Sequence, residues 1–595
     1  MGIDASISRR LSLQAMLWLY GCISLSGAAR ADQGGDGMAP GAAGLAPDCV
    51  ATTDQDVTTL ATYQFEAHDP DAVWDVLPPD ADFDLGEIAV VRQDVFEQPE
   101  NWFHRAVNRY HLETRERVIL SVLPVMRGDH VRVRDLREAE RVLRAKSYLY
   151  DARIIPRRLC GRRLDVYVVT RDVWTLNPRL GFDRSGGENR YSFGLSDSNV
   201  AGTGSAVSLG YENDVDRSGI GFRFTDPNVH GSRWALDLGV LDNSDGGRRA
   251  ASLRRPFYAL DARWAAGLTG NDYQRDEGLY FVGDKLYEYQ ADSQRLDLSL
   301  GWSPGRHSSR VHRFVAGLGY ERDRFDLPPE LLPLAGELQA DDRKRVYPYV
   351  AYQQVEDDFD TRMNFDRVQR TEDVALGRRL YVQVGYSSDA FGGASDELVA
   401  QLRYSDATWL TTSQLLTLGV TASGYYDLDR SRGEDIVAEA EVAYRLRQAH
   451  NLSLLVRTSV AMTHNPSIDT TLMLGGETGL RGFPNRFQSG DRRFLVTLEE
   501  RYYADVYPLQ MFRIGAAVFV DVGRAWYSDA APPWVPQSDL DKGYFDTLSD
   551  VGIGLRLEST RTRRDRILHV DLGFPLQNGP GVRGVELTLS VKQTL

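Results

Sequence analysis

The chain has 595 residues, of which 42% are apolar, 10% aromatic and 26% charged, and its 69 basic against 84 acidic side chains give 69 − 84 = −15. A mean hydropathy of −0.37 excludes a bundle of membrane helices, while 54 glycines and the aromatic content exceed what an ordinary soluble enzyme needs. Both suit a transmembrane barrel, because half of every strand faces a polar lumen and the whole-chain hydropathy stays low.

Arg9 and Arg10 precede an apolar run from Leu11 to Leu25, and Ala29-Arg30-Ala31 offers a small-x-small cleavage site, so residues 1–31 read as a secretory signal. A competing reading takes Leu19-Tyr20-Gly21-Cys22 as a lipoprotein box, against which the size of Tyr20 speaks. No later stretch approaches the ~20 apolar residues of a spanning helix. Residues 32–82 read as a flexible periplasmic leader, the first half rich in Gly, Ala, Asp and Thr. Cys49 and Cys160 remain, in an oxidising compartment where disulfides persist. A bridge between them is the preferred reading, two separate buried thiols the other. No CxxC or His-rich spacing suggests a metal, and no cofactor is expected.

From Leu85 to Asp172 the pattern is strand, helix, helix, strand, strand. Ile88, Val90 and the stretch to Phe96 alternate as a strand, and Thr114 is placed to cap a helix through Val118, Ile119, Val122 and Leu123 that Gly128 ends. Asp135 is placed to cap a second helix through Leu136, Ala139, Val142 and Leu143, and Ala152–Arg157 and Leu164–Val173 supply two more strands. This order, with Gly128-Asp129 between the helices and Arg171-Asp172-Val173-Trp174 at the close, resembles a single POTRA domain over 83–176. The resemblance implies a sheet edge offered to an extended chain, which supplies main-chain hydrogen bonds whatever its sequence; the alternative is a domain that only plugs or orients the barrel. Residues 127–163 hold twelve Lys/Arg against five Asp/Glu, which reads as a solvated helix face or as a surface for anionic headgroups or an acidic client.

Beyond Trp174 the chain becomes strands and turns. Tyr191/Phe193/Leu195, Phe314/Ala316/Leu318/Tyr320 and Leu380/Val382/Val384/Tyr386 alternate with small or polar partners at a period of two. Asp226-Pro227-Asn228 and Asn199-Val200-Ala201-Gly202 punctuate them. The tally is fifteen strands before residue 475 and five after it, so 177–595 reads as an antiparallel outer-membrane β-barrel.

Within it, Gly475-Gly476-Glu477-Thr478-Gly479-Leu480-Arg481-Gly482-Phe483 opens a glycine-rich loop over 475–490. An arginine inside a lumen must find carboxylates or a ring of acceptors. With five strands between it and the C-terminus, this loop resembles the VRGF/Y loop of the BamA/TamA family of outer-membrane assembly barrels. The family's usual barrel has sixteen strands, so about sixteen are expected, with the tally of twenty as the upper figure. Phe519-Val520-Asp521-Val522-Gly523 matches the family's Phe-x-Asp-x-Gly strand, which implies that Phe519 and Asp521 receive Arg481, with Gly482, Phe483 and Gly523 beside it. Period two alone points Phe519 and Asp521 the same way. It puts Leu495, Thr497, Glu499 and Arg501 on the lumenal face of their strand and Arg513, Gly515 and Ala517 on that of the next, and leaves Val518 and Val520 for lipid. The final strands run through Val551–Leu557, Leu568–Phe574 and Val585–Val591, and the end at Leu595 departs from the family's aromatic terminus.

The resemblance implies an outer-membrane protein insertion or translocation barrel, with the domain in the periplasm. A weakly paired seam between the last strand and the first, near Pro178–Phe182, would template a client strand. The partners implied are outer-membrane lipids, unfolded outer-membrane or secreted proteins, and a periplasmic or inner-membrane protein at the POTRA; nucleic acid is not among them. The alternatives are a passive channel or receptor and, further off, a hydrolase. The chain has no Gly-x-Ser-x-Gly elbow, and His569 and Asp571 read as lumenal hydrogen-bond partners, so no enzyme is expected.

Overall fold

A computed structural model describes residues 49–595 except 54–56, 66–71, 78–80, 97–98, 337, 364–370, 530, 533, 537–543, 545, 562–566 and 593–595. The signal, its cleavage site, Cys22, the first part of the leader and Leu595 lie outside the described residues. The chain divides into units 1–49 and 50–595. Among the described residues no helix is long and apolar enough to cross a membrane, which says nothing of strands.

The N-terminal part is an α+β layer. Its sheet has the order β1 (Cys49–Ala51), β4 (Leu149–Cys160), β5 (Arg163–Asp172), β2 (Phe83–Gln93), β3 (His130–Val131). β5 runs parallel to β2 and antiparallel to β4. The helices are α1 (Val57–Leu60), α2 (Trp102–Tyr110), α3 (Glu116–Val122) and α4 (Val133–Arg144). α4 forms where Leu136, Ala139 and Leu143 recur at helical spacing; all three are fully buried, packed in one core with Ile119, Leu149, Ile154 and Val168. Each such leucine stabilises by about 1.5–3 kcal/mol on burial. Cys49 and Cys160 are each disulfide-bonded.

Three expectations are corrected here. Leader residues from 49 onward pack rather than hang free: Leu60, Tyr63 and Phe65 lie buried with Val91 and Tyr167, and Trp74 and Leu77 join the main core, because these apolar side chains cover the sheet face and edge. Thr114 is not a helix cap. Arg115 occupies that place without a side-chain bond, while the Thr114 hydroxyl donates to Asp172 Oδ1 at 3.0 Å. Asp135 stands at the third helical position rather than at the cap, and its carboxylate accepts the Arg132 amide at 2.8 Å.

The remainder is a closed antiparallel barrel of twenty full strands, fifteen before the glycine-rich loop and five after it, with a two-residue stub at Arg306–His307. The count is the tally's twenty and not sixteen. The segments that family precedent would merge are separate strands, from seven residues (Glu586–Lys592) to nineteen (Asp284–Trp302) in length. In the seventeenth, Phe512–Trp526, Ala517, Phe519 and Asp521 are buried while Val518 and Val520 are exposed, the alternation of a strand with a packed lumen on one side.

The domain is seated on the barrel's turns by polar pins. Arg233 Nη1 and Nη2 donate to the carbonyls of Ser121 (2.7 Å) and Leu123 (2.6 Å), satisfying the open C-terminus of α3. Arg144 forks onto Asp373 (Nε, 2.9 Å) in a two-stranded hairpin, Asp358–Met363 with Thr371–Leu376. Asn199 donates to Thr114 at 2.7 Å, the Leu260 amide to Glu138 at 2.7 Å, and Arg561 to the Val95 carbonyl at 2.7 Å.

Candidate functional site

The site lies inside the barrel wall, on the last five strands: Arg492–Tyr503, Phe512–Trp526, Leu548–Ser559, Ile567–Pro575 and Glu586–Lys592. The loop folds back through its own main chain. The Gly475 amide donates to the Thr478 hydroxyl at 2.7 Å, and the Leu480 amide returns to the Gly475 carbonyl at 3.0 Å. Gly479 sits at φ +119°, a backbone setting that side chains rarely tolerate. Leu480 and Phe483 are fully buried with Leu474, Phe487, Ala525 and Leu548, an apolar plug that fixes the loop's base.

That plug aims Arg481 at the wall. Its Nε donates to Asp521 Oδ2 at 2.7 Å and its Nη2 to Asp521 Oδ1 at 3.1 Å. Nη1 donates to Glu499 Oε2 at 2.7 Å and reaches Asp571 at 3.5 Å. The guanidinium lies 3.3 Å over the centre of the Phe519 ring, a cation–π arrangement that desolvation strengthens. Around this centre Thr497 donates to Asp521 at 2.7 Å, Arg501 to Glu499 at 2.9 Å and Arg556 to Asp571 at 2.5 Å. The Gly482 amide donates to Asp550 Oδ2 at 2.9 Å.

Small residues make the approach possible. A Cβ on Gly573 would come within 2.8 Å of the Arg481 carbonyl carbon, and one on Gly552 within 2.2 Å of Phe519 Cζ. Of the residues singled out in the sequence, Arg481, Phe519, Asp521, Glu499 and Arg501 thus meet in one cluster. Gly482 and Phe483 bind beside it, and Gly523 lies on the same strand face, close to Leu474 and Leu495. Sequence reasoning put Thr497 and Asp571 on the lumenal face without joining them to this cluster, and it missed Asp550 and Arg556, which only the strand register brings in.

The far side of the loop is held by a second set. Asn485 donates to Glu188 at 2.7 Å in the first hairpin. Arg486 forks onto Asp216 (Nη1, 2.9 Å) and lies 4.2 Å over Tyr280, whose hydroxyl donates to the same carboxylate at 2.7 Å. Between the two anchorages a polar cavity of about 570 Å³ reaches from Asp183 and Glu188 to Glu499, His569 and Ser590. Among the described residues one carboxylate group, Glu397, Asp427 and Glu434, is close enough to share a metal ion, but Glu397 is engaged by Arg345 and Ser395.

The cavity borders the junction of the last strand and the first, Leu176–Ser185. Among the described residues these two register at a single pair, Leu589 with Arg184. Every other neighbouring pair of full strands registers over seven positions or more. Leu176–Ser185 also contains Pro178, which has no amide to donate.

No protein-family model matches the chain. No curated protein matches it either. Solved structures do. BamA from Haemophilus ducreyi lacking POTRA domains 1–3 aligns over 86% of this chain and 84% of its own at 13% identity and a TM-score of 0.39. CdiB from Acinetobacter baumannii aligns over 86% and 74% at 16% identity and a TM-score of 0.39. CdiB from Escherichia coli aligns over 86% and 76% at 14% identity and a TM-score of 0.41. BamA and CdiB barrels are therefore structural neighbours of this chain.

Proposed function

We propose that the protein is a bacterial outer-membrane barrel that inserts or translocates other proteins, with the N-terminal POTRA-like domain in the periplasm. The observation that carries this reading is the seam. A closed barrel gains nothing from one poorly registered junction, since unpaired strand groups facing hydrocarbon cost several kcal/mol each. A junction that opens sideways offers a client strand those same groups as a template. The lumenal loop, held at Arg481 on the wall and at Asn485 on the first hairpin, bridges the two sides of that junction. No nucleophile is needed, because the work is exchange of main-chain hydrogen bonds. A passive pore fits less well, since the loop occupies part of the lumen beside the wall.

The test uses the registered pair itself. The double variant Arg184→Cys with Leu589→Cys places two thiols opposite each other across the seam. Oxidation is expected to abolish complementation of a deletion strain, scored by loss of particular outer-membrane or secreted proteins, and reduction to restore it. Full complementation by the locked form would overturn the reading.

A further inference from the structure

The N-terminal domain carries an apolar surface that its own core does not use. Trp102, Phe103, Tyr110 and Leu112 are 74%, 42%, 73% and 61% exposed, and they are half of the large exposed hydrophobics among the described residues of 49–175. All four belong to α2 or the two residues after it. The helix itself is well made: Asn101 caps it by accepting the His104 amide at 2.9 Å, so the exposed face is not a frayed end.

The opposite face is pinned. His104 is buried and its ring stacks on Phe96 at 4.0 Å, while Asn108 exchanges two bonds with the Phe96 main chain at 3.0 and 2.8 Å. Directly after the helix, His111 meets Asp172 at 3.0 Å. Phe96 in turn lies under Arg561, which donates to the Val95 carbonyl at 2.7 Å and to the Gln510 carbonyl at 2.8 Å. Gln510 is in the turn between the sixteenth and seventeenth barrel strands, and that turn exposes Val506 (50%) and Leu509 (70%) next to the lipid-facing start of the strand at Phe512. A continuous stack, His104, Phe96, Arg561, Tyr507, therefore ties α2 to the turn that leads into the strand at Phe512.

Residues 101–112 also contain Arg105 and Arg109, both exposed, and no carboxylate. Aromatic side chains with arginines on one short helix match the chemistry of a bilayer interface, where an apolar ring sits among the headgroups and a guanidinium meets phosphate. We propose that α2 with Leu112 is a membrane-interface anchor that rests in the phospholipid headgroup layer beside the barrel. It holds the N-terminal domain against the bilayer close to the last strands. The inference rests on the reading of the barrel as membrane-embedded.

Three versions of the full chain, each with one added cysteine in a Cys22→Ser background that leaves Cys49 and Cys160 disulfide-bonded, test it: Tyr110→Cys, Met126→Cys and Leu300→Cys, labelled without reductant with an environment-sensitive fluorophore and reconstituted into vesicles of phosphatidylethanolamine and phosphatidylglycerol. Leu300 lies on the barrel's outer face and Met126 on an exposed domain loop. The label at 110 is expected to shift to the blue and to be quenched by a shallow spin-labelled lipid, the label at 300 to be quenched, and the label at 126 to stay as in water. Quenching at 300 without quenching at 110 overturns the anchor and leaves the barrel reading intact, including the case in which 110 is shielded by protein. Absence of quenching at 300 overturns the membrane reading instead. Trp102→Ser with Tyr110→Ser is expected to restore a water-like label at Phe103→Cys; an unchanged blue shift there would also overturn the anchor.

Discussion

Arg481 donates from Nε, Nη1 and Nη2, and Asp521, Glu499 and Asp571 take up those bonds while Phe519 covers its face. Removing one partner from a buried ionic cluster typically costs about 3–5 kcal/mol, because the remaining charges lose their compensation. Arg481→Ala is therefore expected to lower barrel level and heat resistance in gel-shift assays. Arg481→Lys is expected to behave much the same, since a single ammonium cannot fork onto Asp521, reach Glu499 and stack on a ring together. If both variants match the parent in heat-modifiability and complementation, the cluster does not anchor the loop. Arg481, Phe519 and Asp521 were legible because a short motif and period two agree on them. Asp550 was not, and Asp571 was placed on the lumenal face but not in this cluster, since both join it only through registers such as Asp521 opposite Asp550 and Gly554 opposite Asp571, which no local pattern encodes.

At the scale of elements, β2 and β5 slip register between Leu85 and Ile88, and the amide this frees at Glu87 is taken up by Asp165 at 2.7 Å. Burial pushes the Asp165 carboxyl upward, but that amide and the guanidinium groups of Arg158 and Arg163 outweigh it and hold the group below the usual carboxylate range. A depressed folded value means stability that is complete above the ordinary value of about 3.9 and lost as pH falls through the folded one. Amide exchange in β2 and β5 is expected to accelerate at the acid end, and Asp165→Asn to flatten that dependence. An unchanged acid limb in the variant would remove Asp165 from this role. β2, β4, β5, α3 and α4 follow from apolar spacing and sit within a few residues of where the sequence put them, whereas α2 (Trp102–Tyr110) was not read from the sequence. Thr114 misled because its partners, Asp172 and Asn199, are 58 and 85 residues away; a local capping rule cannot see them.

For the whole molecule, strand alternation is a local property, which is why the tally of fifteen and five was readable strand by strand. The lean to sixteen came from family precedent, which carries no information about extra hairpins. The pins between domain and barrel were invisible, being single contacts such as Arg561 with Val95, 466 residues apart. The barrel wall closes through its own strands, without a strand of the domain. Removal of residues 32–175 is expected to leave a folded, heat-modifiable barrel without function. Full complementation by that truncation would show that the domain has no part in handling clients.

The arginine loop has one further consequence, for the order of folding. Glu499, Asp521, Asp550 and Asp571 all follow the loop in the chain, at separations of 18 to 90 residues. Contacts of such span form late, after their closure entropy has been met. Arg481 meets its full set of partners only once the strand that carries Asp571, Ile567–Pro575, has been made and paired. Complete seating of the loop thus requires the chain to run through Asp571: a chain cut short before it keeps the bonds of Arg481 to Asp521 and Glu499 but loses the third carboxylate and the partner of Arg556.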